Sequence, residues 1–173
     1  MIFIDIATKD DVLELLEIEQ DAFSPPWSRD LLLSEICNED SFFAVARLSD
    51  DLLRSVVGFV ILRKMSDTGE ILQIATYKDA RRSGIADILM SSAFGFAKDN
   101  ELGAVFLEVR ESNTAAISLY KKHGASVVHR RESYYNDPIE DALIMRFSLK
   151  EFKLNQRACA TRSPCGNRER CTK

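Results

Sequence analysis

One segment constrains this chain more than any other: the strand, turn, helix and strand that run through residues 74–109. Residues 70–76 (EILQIAT) form an apolar run of strand length, and residues 104–109 (AVFLEV) form another. Between them lies a basic turn, Arg81-Arg82-Ser83-Gly84, followed by Ile85, Ile88, Leu89, Ser92, Phe96 and Ala97 on one helical face reaching about Asp99. That order predicts a parallel βαβ unit with a right-handed crossover. A chain containing such a unit must build a sheet with a helix packed on it.

The flanking segments are not further βαβ units. Residues 2–6 alternate well enough for a strand, and Thr8-x-x-Asp11 opens a helix expected over about 9–22, with Val12, Leu15, Leu16, Glu19 and Phe23 as its stripe. Pro25-Pro26 stops it, and Ser28 caps a second helix over 31–37. Strands are expected at 42–47 and 56–63 across a charged turn, with another turn at Asp67-Thr68-Gly69. Past the βαβ unit, Asn113 caps a helix carrying Ala116, Ile117 and Tyr120, and Gly124 suits the C′ position. Strands at 126–132 and 142–148 then read as an antiparallel hairpin. The result is a mixed α/β domain, without internal repeats or heptads.

The chain has 173 residues, 46% of them apolar and 29% charged, which excludes collagen, a wholly disordered chain and a disulfide-dense miniprotein. No apolar run approaches the ~20 residues of a membrane helix, and the N terminus lacks a basic region before a long apolar one. No membrane span or secretory signal is expected, and a cytoplasmic location follows by default. Charge is unevenly distributed. Residues 153–173 hold six basic residues against Glu169, so that segment carries +5 and the preceding 152 residues carry −9 of the −4 total. The boundary is placed at residue 150: a domain over 1–150, then a basic appendage over 151–173, expected to be flexible. Its Cys159, Cys165 and Cys171 are spaced too loosely for an ordinary zinc site, and a reducing cytosol disfavours a disulfide. Cys37 is expected in the core. His123 and His129 stand apart from any ligand cluster, so no metal is expected. Without an aromatic platform, direct nucleic-acid binding is not expected either.

The 81–84 turn has the makings of a phosphate site. Amides at a helix N terminus lack intrahelical partners, the helix dipole favours an anion, and Gly84 lets the backbone approach it. Alone, such a turn is more often simply solvated. It is neither a dinucleotide fingerprint nor a Walker A loop.

Several segments taken together are more specific. Arg81-Arg82-Ser83-Gly84-Ile85-Ala86 matches the acetyl-CoA turn Q/R-x-x-G-x-G/A of the Gcn5-related N-acetyltransferase (GNAT) family. Pro26-Trp27-Ser28, the 70–76 strand, the run from Leu107 to Asn113, Ala116-Ile117-x-Leu119-Tyr120, Tyr134-Tyr135 and the run from Glu140 to Met145 follow in family order and spacing. Over residues 3–148 the chain resembles this family, and more closely the bacterial branch that acetylates the N-terminal alanine of a small-subunit ribosomal protein. It departs from the branch at Gln73 (usually Asn), at Thr76 (usually Val) and at His123-Gly124-Ala125 (usually Leu-Gly-Phe), the last expected to loosen packing behind the cofactor helix.

The resemblance implies a GNAT-like fold: a central mixed, mostly antiparallel sheet with one parallel βαβ cofactor-binding unit and flanking helices. It implies Glu108 as general base and Tyr120 as general acid. For acetyl-CoA it implies backbone groups of Ile74, Ala75 and Thr76, the turn Arg81, Arg82, Ser83, Gly84, Ile85 and Ala86, and Asn113 and Tyr120. For the acceptor it implies Trp27, Glu70, Tyr134 and Tyr135. Read without it, Glu108 would simply pair with Arg110 or Arg130, Tyr120 would be a core aromatic, and Trp27 would pack between the first two helices. The acidic body suits a basic partner such as a ribosomal protein. Two other functions remain open: acetylation of a small amine or a lysine side chain, and a non-catalytic module that senses acyl-CoA or docks on the ribosome. Oligomeric state is undetermined.

Overall fold

A computed structural model of the chain describes residues 1–50 and 53–149. The expected appendage over 151–173 lies outside the described residues. Eleven main elements run in the order β1 (Ile2–Ile6), α1 (Val12–Ala22), α2 (Arg29–Cys37), β2 (Ser41–Asp50), β3 (Leu53–Met65), β4 (Thr68–Thr76), α3 (Ile85–Asp99), β5 (Ala104–Arg110), α4 (Thr114–Lys122), β6 (Ser126–Asn136) and β7 (Ile139–Ser148). The strands form one sheet in the order β1-β2-β3-β4-β5-β7-β6. Every neighbouring pair is antiparallel except β4 with β5. The expected mixed sheet with one parallel pair is therefore present. β6 and β7 pair as the expected hairpin, but β7 lies against β5 and leaves β6 at the edge.

The helix starts follow local chemistry. Asp11 Oδ2 accepts from the Thr8 amide at 2.7 Å and from its hydroxyl at 3.0 Å, and Arg47 ties Asp11 Oδ1 back to β2 at 2.7 Å. The first turn is a separate 3-10 helix, Lys9–Asp11, so α1 begins at Val12 and not at residue 9. Ser28 caps α2 by accepting from the Leu31 amide, and Asn113 caps α4 by accepting from the Ala116 amide at 3.1 Å. Gly124 takes φ +88° just past α4, which is the conformation a C′ glycine supplies.

Two layers of apolar side chains cover the sheet. On one face, Leu15 and Ile18 of α1 and Leu32 of α2 pack with Phe43, Val45, Phe59, Ile61 and Ala75. On the other, Leu89, Met90, Ala93 and Ala97 of α3 and Tyr120 of α4 pack with Val60, Ile71, Val105, Leu107, Met145 and Phe147. Ala125, where an aromatic was expected to be missed, is buried in this second cluster; Phe94 and Tyr120 both meet Phe147 edge-on there.

Three expectations need correction. β2, β3 and β6 extend well beyond the predicted 42–47, 56–63 and 126–132, because antiparallel pairing continues through polar residues that hydropathy does not flag. Cys37 is exposed. It ends α2 away from the buried stripe of Leu32 and Glu35. Parallel pairing joins Thr68–Ile71 to Ala104–Leu107, ahead of the 74–76 segment.

Past Ile71 the two parallel strands part. Ile61 of β3 pairs with Gln73 while its neighbour Leu62 pairs with Ile71, so Leu72 is an extra, bulged residue. The bulge exchanges the faces of the following residues: Ile71 packs with the α3 layer, whereas Leu72 and Ala75 pack with the α1 layer. Gly58, paired with Thr76, keeps this end of β4 close to α3. A Cβ at Gly58 would lie 2.8 Å from the Ala75 carbonyl oxygen and 3.1 Å from Ile85 Cγ2. We expect Gly58→Ala to cost about 1–3 kcal/mol of stability. Denaturant unfolding checks this, and an unchanged midpoint would mean the strand and helix can separate freely there.

Candidate active site

The fork between β4 and β5 organises the candidate site. Ile74, Ala75 and Thr76 remain paired with Val60, Phe59 and Gly58 of β3, while pairing to β5 ends at Ile71 and Leu107. On the β5 side, the main chain of residues 72–76 therefore borders the fork. The next residue on β5 is Glu108, which pairs on its other side with Ile144 of β7. Val105, Leu107 and Val109 face the α3 layer, so Phe106, Glu108 and Arg110 lie on the opposite face. Glu70, paired with Phe106, shares that face.

The expected anion turn stands at the start of α3. Gly84 takes φ +82° with nothing within 4 Å of a Cβ position, so glycine serves the backbone conformation and the open approach, not packing. Arg82 is also left-handed, at φ +66°. Ser83 Oγ donates to the Ala80 carbonyl at 2.5 Å, and Ile85 anchors the helix start in the core. Ala86 follows in the first turn, where amides lack intrahelical partners. Arg81 is turned away from the helix: its guanidinium donates to the Thr76 carbonyl at 3.2 Å and to Asp21 at 2.5 Å.

Glu108 pairs with neither Arg110 nor Arg130. Arg131 reaches it from β6 across β7, and the Tyr134 hydroxyl donates to it, which raises the Tyr134 pKa. Arg110 instead lies 4.1 Å over the Tyr135 ring and binds Glu140 at 3.2 Å and the Asp137 carbonyl at 3.0 Å. Arg130 binds Glu111 and Asp141. Tyr135 lies edge-on to Tyr134, with centroids 5.2 Å apart. It is within electrostatic reach of both Glu108 and Tyr120. Burial, and secondarily the nearby Tyr135, push the Tyr120 phenol far above the ordinary tyrosine range and keep it protonated.

An open cleft of about 420 Å³ lies beside this cluster, between residues 20–24 on one wall and Arg110, Ser112, Asp137, Pro138 and Glu140 on the other. The structure brings Glu108, Tyr134 and Tyr135 together, with Glu70 on the same face. Trp27 is not part of the cleft wall. It packs half-buried on the α1 layer, as a packed aromatic would. Arg131 and the wall residues escaped the sequence reading. An Arg three residues before a tyrosine pair is a usable signal only once β6 is known to lie two strands from Glu108. Among the described residues no His, Cys, Asp and Glu group could hold a metal ion.

The profile of the Acetyltransferase (GNAT) family matches residues 12–125. The chain belongs to this family. The [Ribosomal protein bS18]-alanine N-acetyltransferase of Escherichia coli (strain K12) is 30% identical over 141 residues, spanning 80% of this chain and 92% of the relative. The crystal structure of the ribosomal-protein-S18-alanine N-acetyltransferase from Escherichia coli superposes with a TM-score of 0.76 at 27% identity, covering 91% of this chain and all of that one. Arabidopsis thaliana NAA60, solved in complex with acetyl-CoA, shares the fold with a TM-score of 0.78 at 19% identity over 87% of this chain and 99% of its own. In this GNAT chain the forked strands, the open glycine turn and the carboxylate at the fork occur together, and no described helix is long and apolar enough to cross a membrane.

Because the fold favours the neutral Tyr120 phenol, its ionisation is displaced to higher pH. An alkaline titration followed by phenolate absorbance should contain a late step that Tyr120→Phe removes. Overlaying curves for the two proteins would contradict the burial of this phenol.

Proposed function

We propose that this chain transfers the acetyl group of acetyl-CoA to the N-terminal α-amine of a protein, with the N-terminal alanine of a small-subunit ribosomal protein as its acceptor. The carrying observation is the fork: strand backbone on one side, Glu108 on the other, and an anion-accepting helix start nearby. The names of the relatives support the acceptor. So does the −9 charge of residues 1–152, which favours a basic partner. The residues fit the co-substrate. Gly84 leaves open space for a pyrophosphate, the α3 amides face it, and β4 beyond its bulge offers main-chain groups to a pantetheine arm.

Each step falls to a residue of this chain. An α-ammonium titrates near ~8, so a modest base suffices to release its lone pair. Glu108 takes that proton, directly or through one water, and the incoming cation exchanges with Arg131 at the carboxylate. Backbone amides of β4 stabilise the oxygen of the thioester as negative charge develops on it. The C–S bond breaks as the C–N bond forms, Tyr120 gives its proton to the departing sulfur, and the second proton of the new amide nitrogen returns to the phenolate through solvent. Burial keeps Tyr120 in the donor form this requires. Asn113 orders the start of α4 and so aims Tyr120. Tyr134 and Tyr135 border the acceptor, and Glu70 assists from the same face. Residues 1–150 suffice for this chemistry in a cytoplasmic protein, with 151–173 as an appendage.

Incubation of the protein with acetyl-CoA and an Ala-starting peptide should place one acetyl group on the α-amine, read by fragmentation mass spectrometry. Acetylation confined to lysine or to a small amine would overturn the acceptor assignment. Glu108→Gln and Tyr120→Phe should each lower turnover roughly 10²–10⁴-fold while retaining CoA binding. Full activity in both variants would refute the mechanism, and CoA binding without turnover in the parent protein would favour a sensing module.

A further inference from the structure

Glu19 is the most deeply buried ionisable side chain of the α1 layer, at 0% exposure, and the mechanism does not use it. Among the described residues no cation pairs with it. Its two donors converge on one oxygen: the Trp27 amide reaches Oε2 at 2.9 Å and the Gln73 Nε2 amide reaches Oε2 at 3.4 Å. The other oxygen, Glu19 Oε1, is buried without a partner, and so is Gln73 Oε1. Two buried acceptors cannot satisfy one another, and leaving both without a donor is unfavourable. A single proton resolves both. Glu19 Oε1–H then donates to Gln73 Oε1 while Gln73 Nε2–H donates to Glu19 Oε2. Two parallel hydrogen bonds close a ring between a carboxylic acid and a carboxamide.

We propose that Glu19 is held as a neutral acid in a two-point acid–amide pair with Gln73, and that this pair is a positioning element for acetyl transfer. Its location gives it that role. Gln73 directly follows the bulged Leu72 and precedes the 74–76 backbone that borders the fork. Glu19 is one residue before the 20–24 cleft wall, and its bond to Trp27 secures the far end of the same loop. The pair therefore fastens the acceptor wall to the strand that carries the thioester-facing backbone. Burial, the largest influence on Glu19, raises its pKa against the opposing effect of the two amide donors, in agreement with a protonated side chain.

Two measurements on the full chain test this. At neutral pH the infrared spectrum should contain a protonated-carboxyl band that shifts in D₂O and disappears in Glu19→Gln. Absence of that difference overturns the neutral acid. In the acetylation assay, Glu19→Ala should raise the KM for the Ala-starting peptide about tenfold with CoA affinity changed less than about twofold. Glu19→Gln should restore the KM, because an amide–amide pair reproduces both bonds without a charge. A Glu19→Gln variant as impaired as Glu19→Ala, or an equal loss of CoA affinity, overturns the positioning role. The kinetic measurement rests on the acceptor reading above and the infrared one does not. A parent protein inactive on the peptide thus refutes that reading, and the band alone then decides this inference.

Discussion

The parting of β4 from β5 is the constraint on which the rest of the site depends. Parallel strands ordinarily bury their main-chain groups in continuous pairing, and a gap between them is expensive. Here the bulge at Leu72 turns β4 aside after four paired residues, and Gly58 lets the diverging strand lie close against the start of α3. The unpaired edge is thereby shaped by the bulge and by the close packing of β4 on α3. Glu108 stands at the fork because it is the first β5 residue beyond the last parallel pair. Tyr120 approaches from the α4 layer on the other side of the sheet.

The electrostatics divide along the same line. Around the fork the charges are partly exposed and paired in short-range networks: Arg131 with Glu108, Arg110 with Glu140, and Arg130 with Glu111 and Asp141. Such pairs exchange partners at little cost because water screens both states. Under the sheet, Glu19 has amide partners alone. A polar contact there is rigid because no solvent can replace it.

Much of this was legible in the sequence. The βαβ unit, the caps at Ser28 and Asn113, the turn glycine Gly84, the C′ glycine Gly124 and the final hairpin are local patterns, and each appears where residue chemistry put it. What escaped was non-local. The bulge depends on how Ile61 and Leu62 of β3 meet β4, and neither strand advertises that register. Arg131 became a neighbour of Glu108 only through β7 entering between β5 and β6. Cys37 lies outside the core because helix rotation carries this apolar-looking end of α2 away from the stripe of Leu32 and Glu35. Glu19 has the spacing of one more α1 stripe residue, and only the fold brings it to Gln73, far along the chain. Family resemblance supplied roles for Glu108 and Tyr120 that spacing alone would have left as an ion pair and a core aromatic.

The strand order also sets a sequence of events for the folding chain. β5 has β4 on one flank from the moment the βαβ unit closes, but its other flank belongs to β7, the last of the described strands. Ile144, the partner of Glu108, follows α4 and β6 in the chain and is therefore synthesised after both. Until β7 is made, the Glu108 flank of β5 has no strand beside it. β7 is thus the strand that both joins β6 to the sheet and encloses the Glu108 flank of β5. A chain ending before β7 would leave Glu108 at a sheet edge with neither Ile144 nor the strand that carries it.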